Sequence, residues 1–345
     1  MKSDTCISEM EYPHVPPYDA DGYPDWYRQA PNPTPVWTVP IDHPMAFTVT
    51  DSGNAIVTAE RDIVAIEFPG TIAWHLASLC RPAGCAPALH TKPILMGDFV
   101  YVTMAGHGNS MVDGCGEALS LDEAPPVNVP NIATSSSGVA SVLSIDGKER
   151  VVRTMHDKRA WTFAVDEHDT ITAMKFDHDE NLYLGTHGGH VIALDTAGKV
   201  RWDRNTKDHL VSTVLVDETG LYVAVDGGIV ALDPSSGAVR WEYALPQTGP
   251  YPAPTLSGGE LSIATSRGLT VLDTKGAFQW SFDGAFTTSP FVTPSATYVA
   301  TATTVYALSS IGTPYWKLPV ANAIALTVAS GKLYVLTTTA LIKFR

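Results

Sequence analysis

The residues best suited to chemistry gather in one irregular stretch. Cys80 and Cys85 bracket the loop Leu79-Cys80-Arg81-Pro82-Ala83-Gly84-Cys85. Further along stand His107, Asn109, Asp113, Cys115 and Glu117, within a run rich in glycine. Three chemistries fit. A Cys80–Cys85 disulfide would rigidify the loop in an oxidising compartment. Cys115 could instead pair with either of those two. Third, the three thiolates with His107 could bind zinc, whose usual ligands are thiolate and imidazole. A disulfide is the leading reading, because the spacing matches no standard zinc motif.

Other polar clusters recur along the chain. His187-Gly188-Gly189-His190 offers two imidazoles near a turn, a weak metal candidate alongside His107 and Cys115. Asp166-Glu167-His168-Asp169, Asp226 and Arg267 could line a polar channel mouth or a solvated rim. Asp177-His178-Asp179-Glu180-Asn181 has alternating oxygen ligands but lacks the glycine and distal glutamate of a calcium loop. Asp51-Ser52-Gly53-Asn54 and Asp217-Glu218-Thr219-Gly220 repeat that composition, which points to turn chemistry. Nucleophilic catalysis finds no G-x-S-x-G elbow, Walker loop or H-E-x-x-H. Ser135-Ser136-Ser137-Gly138 reads as a flexible linker.

The elements that must hold these residues are short strands in a repeat. Trp37, Trp74, Trp161, Trp202, Trp241, Trp280 and Trp316 mark it, with steps of 41, 39, 39 and 36 residues after Trp161. A glycine stands four residues before the tryptophan at Gly70, Gly198, Gly237, Gly276 and Gly312. The clearest copy is Leu221 to Trp241, LYVAVDGGIVALDPSSGAVRW. Its apolar runs are cut by Asp/Gly and Asp/Pro/Ser/Gly turns, which is the hairpin signal.

Each period carries about four strands, A to D from the centre outward, the blade of a β-propeller. The reading is all-β, with eight four-stranded blades over residues 33–345. The last blade has strands A, B and C, and Pro35-Val36-Trp37-Thr38-Val39 supplies its missing D strand. That closure removes an open sheet edge. On this register B–C and D–A loops share one face. The two irregular stretches around Cys80 and Cys115 are read as the D–A and B–C loops of blade two. That makes this face, with His168, His187, His190, Asp226 and Arg267, the candidate binding face. Residues 1–32 are rich in Pro, Tyr and Asp and read as an extended tail, with Cys6 a possible lipidation site.

The pattern Leu-Tyr-Val, Gly/Asp turn, Val-x-Ala-Leu-Asp, Gly turn, Trp resembles the PQQ-like repeat family of eight-bladed propellers. The resemblance implies that the seven tryptophans pack between neighbouring blades. It implies two kinds of function. Quinoprotein dehydrogenases bind pyrroloquinoline quinone and calcium, usually under a disulfide between adjacent cysteines; this sequence has no Cys-Cys pair. Non-catalytic members, such as the lipoprotein of the outer-membrane assembly machinery, present loops to partner proteins.

Composition narrows the choice. The 345 residues are 45% hydrophobic and 17% charged, enough for a sizeable core. A net charge of −14 with 22 Lys+Arg argues against nucleic acid as a partner. No run has the apolar length of a membrane span. The leading expectation is a non-catalytic scaffold holding a protein partner, without a cofactor, in the periplasm, at the outer membrane or outside the cell. The alternatives are a quinone-, calcium- or zinc-dependent enzyme at the channel mouth, or a carbohydrate or peptide binder.

Overall fold

The computed structural model describes residues 33–345 apart from 51, 61, 78–91, 97–98, 105–107, 121–131, 146–147, 156–157, 167, 208–209 and 246–250. All its regular structure is strand. β1 (Pro35–Pro40) comes first. Blade one is β2 (Pro44–Val49), β3 (Ala55–Ala59), β4 (Asp62–Glu67) and β5 (Thr71–Ala77). Blade two is β6 (Ile94–Met96), β7 (Phe99–Met104), β8 (Gly108–Asp113) and β9 (Ala118–Ser120). Blade three is β10 (Ile132–Ser135), β11 (Gly138–Ile145), β12 (Lys148–Met155) and β13 (Lys158–Ala164). Blade four is β14 (Ile171–Phe176), β15 (Leu182–Thr186), β16 (His190–Leu194) and β17 (Val200–Asn205). Blade five is β18 (Val211–Asp217), β19 (Gly220–Val225), β20 (Gly228–Leu232) and β21 (Val239–Ala244). Blade six is β22 (Thr255–Ser257), β23 (Glu260–Ala264), β24 (Gly268–Asp273) and β25 (Phe278–Asp283). Blade seven is β26 (Phe291–Val292), β27 (Thr297–Ala300), β28 (Thr304–Leu308) and β29 (Pro314–Pro319). Blade eight is β30 (Ala323–Ala329), β31 (Lys332–Thr337) and β32 (Ala340–Phe344), with β1 as its fourth strand.

These are eight four-stranded antiparallel sheets, the β-propeller read from the repeat. The closure is also as expected. β1 pairs with β32 through Trp37↔Lys343, Thr38↔Ile342 and Val39↔Leu341.

Two compact units divide the chain. One holds residues up to Glu123 together with Thr287–Arg345, hence blades one, two, seven and eight. The other, Ala124–Phe286, holds blades three to six. In both, strands B and C are buried on both faces. β15, β19 and β20 are buried at every residue, and β21 alternates exposed with half-buried. A strand covered on both sides is apolar throughout, whereas an outer strand keeps a wet side. The core therefore lies between blades. Tyr183, Val191 and Ala193 of blade four join Val211, Val223 and Leu232 of blade five in one cluster. Tyr222 and Ile229 of blade five join Leu261 and Ile263 of blade six in another.

The structure corrects two local readings. Cys115 does not lie in a B–C loop. Strand C of blade two, β8, already occupies Gly108–Asp113, so Asp113, Cys115 and Glu117 form the C–D turn beyond its end. Asp113 Oδ1 accepts the amides of Cys115 at 2.9 Å and Glu117 at 2.8 Å. Asp195 and Asp273 cap their own C–D turns in the same way. At about 3.3 Å per residue, six residues of strand set Cys115 roughly 20 Å from the B–C end of the blade. The second correction concerns Ser135–Gly138. It is the tight A–B turn of blade three, held by hydrogen bonds described below.

Candidate functional site

The residues chosen on the B–C and D–A side of blades three to six fall where the repeat register puts them. Asp166 and His168 stand between β13 and β14, His187 between β15 and β16, Asp226 between β19 and β20, and Arg267 between β23 and β24. His190 opens β16 itself.

Asp169 organises the first three. Its Oδ1 accepts the amides of Thr170 at 2.8 Å and Gly188 at 2.7 Å. Asp166 Oδ1 accepts the His168 amide at 3.0 Å, and the His187 amide donates to the Thr170 carbonyl at 2.9 Å. The D–A loop thus clasps the B–C turn of blade four. Gly188 is required there, since a Cβ would stand 2.9 Å from Asp169 Oδ2. Glu149 comes close from blade three, accepting the Ile171 amide at 3.1 Å. Burial pushes its pKa up, opposed by that amide and assisted by the charge of Asp169.

The two histidines do not converge. His190 Nδ1 lies 2.8 Å from Asp203 Oδ1 and its Nε2 lies 3.3 Å from Asn205 Nδ2, both on β17. His187 stays exposed at the turn. Among the described residues no group of three His, Cys, Asp or Glu could hold a metal ion. His107 lies outside the described residues, as do Cys6, Cys80, Cys85 and the side chain of Asn109. Cys115 is not a free thiol.

Asp226 lines a groove. Of about 360 Å³, it runs between β17 and the β20–β21 hairpin. Arg204 and Lys207 line it from blade four; Asp226, Val239, Glu242 and Tyr243 line it from blade five. Lys207 Nζ lies 3.2 Å from both carboxylate oxygens of Glu242, an exposed pair across the groove. The Leu245 amide donates to the Gly227 carbonyl at 2.8 Å. The Tyr251 hydroxyl lies 2.9 Å from the Val225 carbonyl and 2.8 Å from that of Gly228. Burial, then the charge of Asp226, raises the Tyr251 pKa, so the phenol stays protonated and able to donate. The groove therefore has apolar and aromatic walls and charges of both signs at its rim. Arg267 lies outside it, its amide held by Thr265 Oγ1 at 3.1 Å.

Sequence reasoning missed a second polar cluster. Arg153, 3% exposed in β12, donates through Nη2 to the Oγ atoms of Ser135 and Ser137 at 2.7 Å each. The same nitrogen meets the Glu180 carboxylate from blade four. The hydroxyls of Ser135 at 2.7 Å and Ser136 at 2.6 Å, with that of Ser137, complete the shell. Those donors and Arg153 outweigh burial and hold the Glu180 carboxyl at about 2. The Arg153 guanidinium also lies 4.2 Å over the Phe176 ring. In the sequence Ser135–Gly138 reads as a linker and Glu180 as part of an acidic turn, and the arginine inside a strand that joins them went unread.

The tryptophans repeat one packing arrangement from blade to blade. Trp161, Trp202 and Trp241 each lie against the C–D glycine of the following blade, Gly198, Gly237 and Gly276. Each indole Nε1 donates to a carbonyl of that same turn: Thr196 at 3.0 Å, Pro234 at 3.0 Å and Thr274 at 3.1 Å. Trp74 does the same with Gly116 and the Gly114 carbonyl at 2.8 Å. Trp37 lies on Gly70, but its buried Nε1 has no acceptor, nor has that of Trp280. A protein-family model described as outer membrane protein assembly factor BamB matches residues 147–282, which carry most of this pattern. That match, together with the eight-bladed fold, supports a PQQ-like repeat propeller.

Solved structures share the fold at low identity. BamB from Moraxella catarrhalis is 16% identical, with TM-score 0.67, over 91% of this chain and 100% of that one. The computationally designed Ika8 protein is 13% identical, with TM-score 0.71, over 88% and 96%. Comparison with curated protein sequences gives no match. Among the described residues of the propeller, no helix is long and apolar enough to cross a membrane.

Proposed function

We propose that this propeller is a non-catalytic scaffold of the cell envelope that holds a protein partner against the B–C and D–A turns of blades four and five. The groove between β17 and the β20–β21 hairpin carries this reading. It lies within the stretch matched by the assembly-factor family model. Tyr243 and Val239 give a partner apolar surface, and Arg204, Lys207, Asp226 and Glu242 fix its register at the polar rim. Short turns on blades whose B and C strands are buried form a rigid platform, so little ordering entropy is lost on docking. The family description names outer-membrane protein assembly, which supports an envelope location, periplasmic or outer-membrane-associated. A disulfide at Cys115 would accord with that oxidising compartment.

Capture tests the reading. The full chain, immobilised and exposed to envelope extract of the source cells, is compared with a K207E/E242K/R204E variant of unchanged thermal midpoint. The proposal requires a partner retained by the wild type and lost by the variant. Equal retention by both, or a stoichiometric metal or quinone that survives dialysis, would overturn it.

A further inference from the structure

The junction of blade eight with blade one carries apolar residues where the repeat places small or polar ones. In the C–D turns of blades two and four to seven, the residue two before the glycine is Gly114, Thr196, Ser235, Thr274 or Ser310. In blade one it is Phe68, 63% exposed. In blades four to six the residue before the blade tryptophan is Arg201, Arg240 or Gln279. In β1 it is Val36, 45% exposed. Ile72, two residues beyond Gly70, is 53% exposed. The three gather at one indole. Trp37 follows Val36 and lies on Gly70, where a Cβ would stand 2.7 Å from its Cγ, and Phe68 and Ile72 flank that glycine. Apolar side chains exposed together mark a surface that another segment covers.

Three side chains fall well short of the roughly 800 Å² that each partner of a stable dimer buries. The chain itself brings a better match. Residues 1–32 enter the propeller at this corner: Pro33 is buried beside Trp316, Leu333 and Phe344, three residues before Val36. The Thr34 and Arg345 backbones pair just beyond the end of β32, on the C–D side of the blade. Residues 18–27, YDADGYPDWY, hold four aromatic rings and three aspartates. Trp26 stands seven residues before Pro33, a reach of about 23 Å when extended. The charge matches too. Lys343 Nζ lies 4.9 Å from the Phe68 ring centre. Burial, then the charge of Lys332, lowers the Lys343 pKa, so two cations share this corner. In a chain of net charge −14, their field favours an acidic segment without any contact to the buried Lys343.

We propose that residues 18–27 of the same chain dock on Val36, Phe68 and Ile72, with Trp26 and Tyr27 against these side chains. The segment then acts as a strap across the junction at which the N-terminal strand closes the C-terminal blade. Aromatic rings suit an exposed patch, since each covers a large apolar area while its polar atom stays in water. The proposal does not depend on the groove of blades four and five.

Photo-reactive benzoylphenylalanine in place of Phe68, in the full chain, tests the proposal. Irradiated at low micromolar concentration, it should cross-link within one chain to residues 18–27, with a yield independent of protein concentration. A product of twice the chain's mass would assign the patch to a second copy. An adduct formed only in envelope extract would assign it to another protein. Either result, or cross-links confined to the propeller, overturns the proposal. Trypsin gives a second readout. Cleavage after Arg28, next to the docked segment, should be at least tenfold faster in F68S/I72S than in the wild type, at unchanged thermal midpoint. Equal rates would overturn the proposal. Should F68S/I72S fail to fold, W26S/Y27S, which leaves the propeller sequence untouched, gives the same comparison.

Discussion

Trp202 of blade four lies directly on Gly237 of blade five: a Cβ added to the glycine would stand 2.6 Å from indole Cε3. The indole Nε1 also donates to the Pro234 carbonyl of the same turn at 3.0 Å. One residue pair thus sets both the spacing and the angle of two blades. Gly237 also sits at φ +69°, where a side chain is strained. Gly237→Ala should cost about 2–5 kcal/mol, from a left-handed backbone penalty of about 1–2 and overpacking of about 1–3. Gly258→Ala, at φ +60° with nothing within 4 Å, should cost only the backbone part. Urea unfolding midpoints of the two variants check this; equal losses would remove the packing role assigned to the tryptophan.

Arg153 and Glu180 join blades three and four from within. Removing the cation by Arg153→Met should cost about 2–4 kcal/mol, somewhat less than for a fully buried pair. The discount reflects the 21% exposure of the Glu180 side chain. Chemical denaturation at neutral pH measures it, and a loss under 0.5 kcal/mol would show the pair to be incidental.

The same carboxylate sets an acid limb. Its folded pKa, about 2, lies below the ordinary value of 4.5, so the folded state binds the proton less well than the unfolded chain. Its stabilisation is therefore fully present above about pH 4.5 and is lost as pH falls through about 2. Melting temperature measured from pH 6 down to pH 2 should fall more steeply in the wild type than in Glu180→Gln. Parallel curves would contradict the assignment.

Cys115 is predicted to be in a disulfide. Thiol titration of unfolded, unreduced protein should then find two free thiols fewer than after reduction. Cys115→Ser should lower stability by about 2–4 kcal/mol. Four reactive thiols before reduction would exclude the bond.

Lys207 and Glu242 are exposed, so their pairing contributes little to folding, about 0–1 kcal/mol. Swapping both charges should leave the unfolding midpoint within a degree or two and still alter partner retention. A large loss of stability would show that the groove is a structural feature.

Much of the fold was legible in the sequence because each blade buries its own B and C strands. Leu221–Val225 and Ile229–Leu232 announce themselves as apolar runs between turns, and the tryptophan period supplies the register. Blade two was misread because β9 ends at Ser120 and carries no tryptophan, which left Gly108–Asp113 to be taken as loop. The site was less legible for a physical reason. Asp226 and His187 announce themselves by lying in turns. Arg153 and Lys343 lie in apolar strands, and their surroundings come from other blades: Glu180 for one, Phe68 for the other. Lys207 and Tyr243 line one groove only once blades four and five are stacked.

The scaffold reading is tested most directly by placing a photo-reactive benzoylphenylalanine at Val239, on the groove wall, and separately at Phe278. Both stand two residues before the blade tryptophan on an outer strand, and both are exposed, at 37% and 54%. Irradiation in the native source should give a discrete protein adduct from position 239 and none from position 278. No adduct at 239, or the same adducts from both positions, would contradict a partner held in the groove.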